Sequence, residues 1–127
     1  MRAYVGLTFD EVSTLFSSGE LAADTFFAPT SAFVAEHTDL DEEEREFVLS
    51  MLAAEESIEL RDAGYGFVLA AEIPNSAIAE SGADSIKIST SINLEWAQCV
   101  FLVSPDGEEL TWFAIQEVKE LLPSWGN

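Results

Sequence analysis

Residues 40–62 read LDEEEREFVLSMLAAEESIELRD, and the way this stretch lies on its neighbours decides the fold. It holds many good helix formers and no Gly or Pro, so one helix is expected from Leu40 to Asp62, about 34 Å long. Asp39 or Asp41 should cap its start, and Ala63-Gly64 should close it. Leu40, Phe47, Met51, Ala54 and Ile58 fall on one stripe, with Val48 and Leu52 beside it. An apolar arc that wide suits a helix laid across a sheet and touched by a second element. Glu55 projects inside the arc, where a carboxylate must reach solvent, meet a cation or carry a raised pKa. Arg2, on the first strand, is a candidate partner in a structural ion pair, and simple exposure at the edge of the arc is the other structural reading.

Upstream, Arg2 to Leu7 alternates like a strand. Thr8-Phe9-Asp10-Glu11 has the form of a capping box, with Thr8 as N-cap and Glu11 at N3, and Gly19 is a natural stop. Thr25 to Ala28 is a brief strand or an extended connection, and Thr30 caps a short helix to about Glu36. Downstream, Phe67 to Ile73 is a nearly continuous apolar run and reads as a central strand. Ile86 and Ile88 mark a short half-exposed strand, and Ala97 to Val103 another apolar one. Pro105-Asp106-Gly107 is a turn that brings Leu110 to Ala114 back as a hairpin partner. Gln116 to Leu122 should form a terminal helix ended by Pro123. The expected fold is α+β in a single domain, 1–127. It has a four- or five-stranded mixed or antiparallel sheet, one long helix, and two or three shorter helices packed mainly on one face.

The chain carries 24 Asp and Glu against 5 Lys and Arg, a net charge of -19, while 48% apolar residues suffice for a core. Arg2, Arg45, Arg61, Lys87 and Lys119 are scattered, which argues against binding phosphate backbones or an anionic membrane. The single cysteine, Cys99, sits in an apolar run and reads as a buried thiol. MRAYVGLTFDE lacks a signal-peptide core, and no apolar stretch approaches membrane-span length, so a soluble cytoplasmic protein is expected.

An opening MR-x-Y, a capped first helix, an acidic EEE-x-EF helix, an apolar strand followed by Ile-Pro and a closing EELTWFAIQEVKELL together resemble a family of small, acidic, uncharacterised actinobacterial proteins. Glu108 to Leu122 is the most specific piece. The resemblance implies a small cytosolic protein and carries over no catalytic residues.

Between Glu36 and Asp62, 11 acids face two arginines. The same charge suits a solvated helix start, because acids there complement the helix dipole. It also suits a docking face for a basic protein. Glu42, Glu43, Glu44 and Glu46 are its expected residues, joined by Trp112 and Gln116. Trp112 and Phe113 are adjacent in a strand, so one of them must leave the main core face. His37, Asp39, Asp41 and Glu44 are the candidate ligands for a cation, but no metal or cofactor is expected, since the DLDEEE string lacks the glycine and final glutamate of an EF-hand. His37 has no triad companions, and no phosphate loop or CxxC is present. The expected function is therefore a non-catalytic protein-binding or regulatory module. The alternatives are a small enzyme or ligand-binding domain with Glu55 in a pocket, and a DNA mimic that inhibits a DNA-binding protein.

Overall fold

Arg2–Leu7 (β1) and Gly66–Glu72 (β4) pair antiparallel along their whole lengths, from Arg2↔Glu72 to Leu7↔Phe67, at the centre of the computed structural model. Residues 1–61 and 64–125 are described. Five elements lie between these strands in sequence. They are helix α1 (Phe9–Ser18), strand β2 (Glu20–Leu21), strand β3 (Thr25–Phe27), and helices α2 (Ser31–Glu36) and α3 (Glu42–Leu60). After β4 come β5 (Ile78–Ser81), β6 (Ser85–Ile88), β7 (Ile92–Asn93), β8 (Ala97–Val103), β9 (Leu110–Ala114) and helix α4 (Ile115–Trp125). The sheet has seven strands in the order β5-β6-β3-β1-β4-β8-β9, with every neighbouring pair antiparallel, while β2 and β7 form a small second sheet.

The α+β class, the long helix and an antiparallel sheet match expectation, but the count of four or five strands is corrected to seven. The added strands are short: β3 has three residues and β5 four. Backbone pairing recruits them, and only Phe26 of β3 is fully buried, so composition marks them weakly.

The helices cover both faces, which corrects the expectation of one. Ala3, Val5, Leu7, Phe67, Leu69 and Val100 point to one side, with Val12 and Leu15 of α1 and Val118 of α4. Tyr4, Val68, Ala70, Cys99 and Val103 point to the other, with Phe33 of α2 and Leu49, Ala53 and Ala54 of α3. The physical cause lies in β4, whose GFVLAA run is buried on both faces and therefore needs cover on both.

Local chemistry sets the helix ends. Thr8 accepts the Glu11 amide at 3.2 Å while Glu11 takes the Thr8 amide at 3.0 Å. Gly19 closes α1 in the left-handed conformation at φ 83, as Leu15 O accepts its amide. Asp41, rather than Asp39, caps α3 through a second capping box with Glu44. The helix therefore begins at Glu42, not Leu40, and ends at Leu60; Asp62, its expected end, and Ala63 of the expected closing pair lie outside the described residues, while Gly64 is left-handed at φ 82. The hairpin turn at 105–107 forms as expected, with Gly107 at φ 80. Helix α4 begins one residue earlier than expected and runs through Pro123 to Trp125.

The buried face of α3 differs from the expected stripe. It consists of Leu49, Ser50, Ala53, Ala54 and Ser57, while Phe47 is 65% exposed and Met51 and Ile58 stand half-buried at the flank. Small side chains let the helix settle directly on backbone. A Cβ built on Gly6 would lie 2.6 Å from the Ser57 nitrogen and closer still to Ala53 O. On the same face of the sheet, a Cβ on Gly66 would collide with the Ser57 hydroxyl. Large residues therefore cannot occupy the contact line, and they form the walls on either side of it.

Candidate functional site

The rotation of α3 exchanges two neighbouring acids. Glu55 is exposed, so the expected buried acid paired with Arg2 is not formed. Arg2 instead donates from Nε to the Tyr4 hydroxyl at 3.0 Å and from Nη2 to Cys99 Sγ at 3.8 Å, and its nearest carboxylate is Glu46 at 3.8 Å. Burial pushes the Cys99 thiol up, against the pull of Arg2, so this cysteine is held as a neutral thiol.

Glu56 is the partly buried acid. Strand β3 meets β1 only at Tyr4↔Phe27, and beyond that point the Gly6 amide finds no strand partner. Glu56 Oε1 accepts it at 2.8 Å. Burial raises the Glu56 pKa above 4.5, the Gly6 amide opposes that, and Glu11 and Glu59 add repulsion. A raised carboxyl pKa means that folding favours the protonated acid. The stabilising contribution is complete below about pH 4.5 and is lost as pH rises through the folded pKa. Glu56→Gln keeps an oxygen for Gly6 and removes the charge. It should melt higher than the parent at neutral pH, with the difference closing as pH falls below about 4.5. Glu56→Ala should lose about 1–2 kcal/mol in urea unfolding, because it strands the Gly6 amide.

The residues expected to form one partner surface are split between the two flanks of α3 and the far side of the sheet. Glu42 and Glu46 face α2 and the start of β1, in a cleft that also contains Arg2 and Arg45. On the opposite flank, Met51, Glu55, Ile58 and Glu59 meet Asp106, Gly107 and Glu108 of the hairpin turn across a groove of about 500 Å³. Phe47 shares that flank, one helical turn before Met51. Trp112 lies there too. It pairs with Phe101, and its strand face is that of Cys99 and Val103, the α3 side of the sheet. Trp112 is 56% exposed because α3 covers β1 and β4 and leaves β9 open. Phe113 takes the other face, where Trp125 of α4 covers it at 5.0 Å between ring centroids. Gln116 is exposed at the start of α4, a helix that packs on the far side of the sheet from α3.

The acids on this flank are solvated. Asp106 is held below the usual carboxylate range by the Ser104 hydroxyl and then by the Glu108 amide. The histidine is occupied structurally: His37 Nδ1 donates to Phe33 O at 2.9 Å and its ring stacks on Phe33 at 4.3 Å. Among the described residues, no three or more His, Cys, Asp and Glu side chains converge as a metal site. Among the same residues, no helix is long and apolar enough to cross a membrane.

Sequence reasoning missed Glu56 and the open trough. The signal that could have found them is the Ala53, Ala54, Ser57 line facing Gly6 and Gly66, which fixes the rotation of α3.

No curated protein matches this sequence, and no solved structure does. A family model does match, over residues 1–108. Of the closing segment Glu108 to Leu122, only Glu108 lies within the matched residues. The match spans β1 through β8 and the turn after it, and stops before β9. On that match, the chain belongs to DUF6912, a family of unknown function.

Proposed function

We propose that this chain is a non-catalytic, cytoplasmic protein-binding module. Its docking surface is the trough between the outer flank of α3 and the open face of the β8–β9 hairpin. Its partner presents a basic amphipathic segment. The observation that carries this reading is the pair of aromatics left in solvent there, Phe47 at 65% and Trp112 at 56% exposure. Large aromatics anchor protein contacts when a partner desolvates them. Glu43, Glu44, Glu55, Glu59, Asp106 and Glu108 are exposed on the same helix and turn and supply the rim. Apolar residues at helical spacing beside an acidic rim complement a helix with one apolar face and a Lys/Arg face. A second copy of this chain would bring another -19 and is repelled. A DNA mimic would present carboxylates where this surface presents aromatics, so the trough supports the peptide reading better.

The test is calorimetric titration of the full chain with a helical Lys/Leu peptide of about 18 residues, at about 50 and 200 mM salt. Phe47→Ala with Trp112→Ala should weaken binding at least about tenfold at both salts. Changing Glu43, Glu44 and Glu55 to Gln should weaken it mainly at low salt. Unchanged affinity in the aromatic double variant would refute the reading.

A further inference from the structure

The other flank of α3 holds a separate cleft of about 480 Å³, lined by Arg2, Pro29, Val34, Glu42, Arg45 and Glu46 among others. Two of the five Lys and Arg of a chain with net charge -19 stand in this one place. Arg45 forms no ion pair or side-chain hydrogen bond among the described residues, and its Nε is buried without a partner. Arg2 is fixed by the Tyr4 hydroxyl at 3.0 Å, and its carboxylate neighbour Glu46 stays 3.8 Å away. Glu42 is exposed on the first turn of α3 and forms no ion pair with Arg45 among the described residues. Two guanidinium groups and two carboxylates thus surround a wall made by Pro29 and Val34, with their charges incompletely satisfied by one another.

The charges define the ligand. An unpaired guanidinium selects a planar oxyanion such as a carboxylate. A ligand with net negative charge is repelled by the field of the whole protein. A zwitterion meets both conditions, with its carboxylate on Arg45 and Arg2 and its ammonium on Glu42 and Glu46. The volume falls within the ~300–1,000 Å³ of small-molecule sites, and Pro29 and Val34 offer contact to an apolar side chain. We infer that the cleft between α3, α2 and the start of β1 binds a free apolar α-amino acid. This site is independent of the trough and does not rest on the docking proposal.

The experiment titrates isotope-labelled full-length protein with L-valine, L-leucine, L-isoleucine, L-methionine and L-phenylalanine in turn, reading backbone amide shifts. At least one should produce saturable movement of the Val34, Arg45 and Glu46 amides below about 10 mM. Isocaproate and isoamylamine, which each keep one charge of leucine, should not saturate. Arg45→Gln and Glu42→Gln should each weaken binding at least about tenfold. Glu42 is exposed, so its variant still decides the matter if the arginine variant does not fold. Absence of saturable movement from all five amino acids, unchanged affinity in either folded variant, or equal binding by a single-charge compound would overturn the inference.

Discussion

Gly6→Ala is expected to lower stability by about 3 kcal/mol, a large effect for one added methyl group. The methyl would enter the space where α3 rests on β1, 2.6 Å from the Ser57 nitrogen and nearer to the Ala53 carbonyl. Those are backbone atoms in the middle of a helix, and no side-chain rotation moves them. The helix must lift, and Leu49, Ala53 and Ala54, all fully buried, would lose contact with the sheet together. Gly66→Ala provides the contrast. Its added methyl would meet the Ser57 side chain first, so Ser57→Ala should recover part of the loss there and none of it for Gly6→Ala. Urea unfolding of the four variants separates the cases, and a loss below about 1 kcal/mol for Gly6→Ala would mean that α3 does not sit on the β1 backbone.

Phe67→Ala should cost about 4 kcal/mol, near the upper range for removal of a buried aromatic. Phe67 is 1% exposed on the opposite face of the sheet. Its ring lies 6.2 Å from Phe9 of α1 and 5.8 Å from Trp125 of α4, and Trp125 in turn covers Phe113. One truncation therefore opens a cavity that two helices line. Amide exchange in α4 should quicken more than in α3, because α3 packs on the other side. Equal acceleration in both helices would contradict the two-sided packing.

Elements with strong local chemistry were legible in the sequence. Thr8 with Glu11, Gly19, Thr30 and the Pro105-Asp106-Gly107 turn all act where their residue types dictate, because capping and turn formation depend on a few adjacent groups. The strands β1, β8 and β9 occupy the residues that alternation and apolar runs assign to them. The orientation of α3 was not legible from hydrophobicity. Its largest apolar residues, Phe47, Met51 and Ile58, invite a contact line through themselves, and packing favours the small ones instead. That choice depends on Gly6 and Gly66, which are distant in the chain. It moved the meaningful carboxylate from Glu55 to Glu56 and turned Phe47 outward. Of the expected partner residues, Trp112 is exposed, while Glu42 and Glu46 belong to the Arg2–Arg45 cleft.

A chain with net charge -19 attracts any cationic peptide, so affinity alone does not identify a docking surface. The position of the bound peptide does. The direct measurement is amide and indole shift mapping of the basic helical peptide on the labelled protein at about 200 mM salt, where diffuse attraction is screened. Shifts concentrated at Phe47, Met51, Phe101, Gly107 and the Trp112 indole are the expected result. Shifts spread evenly over the acidic surface, or confined to the α2 flank of α3, would contradict a docking trough on this face.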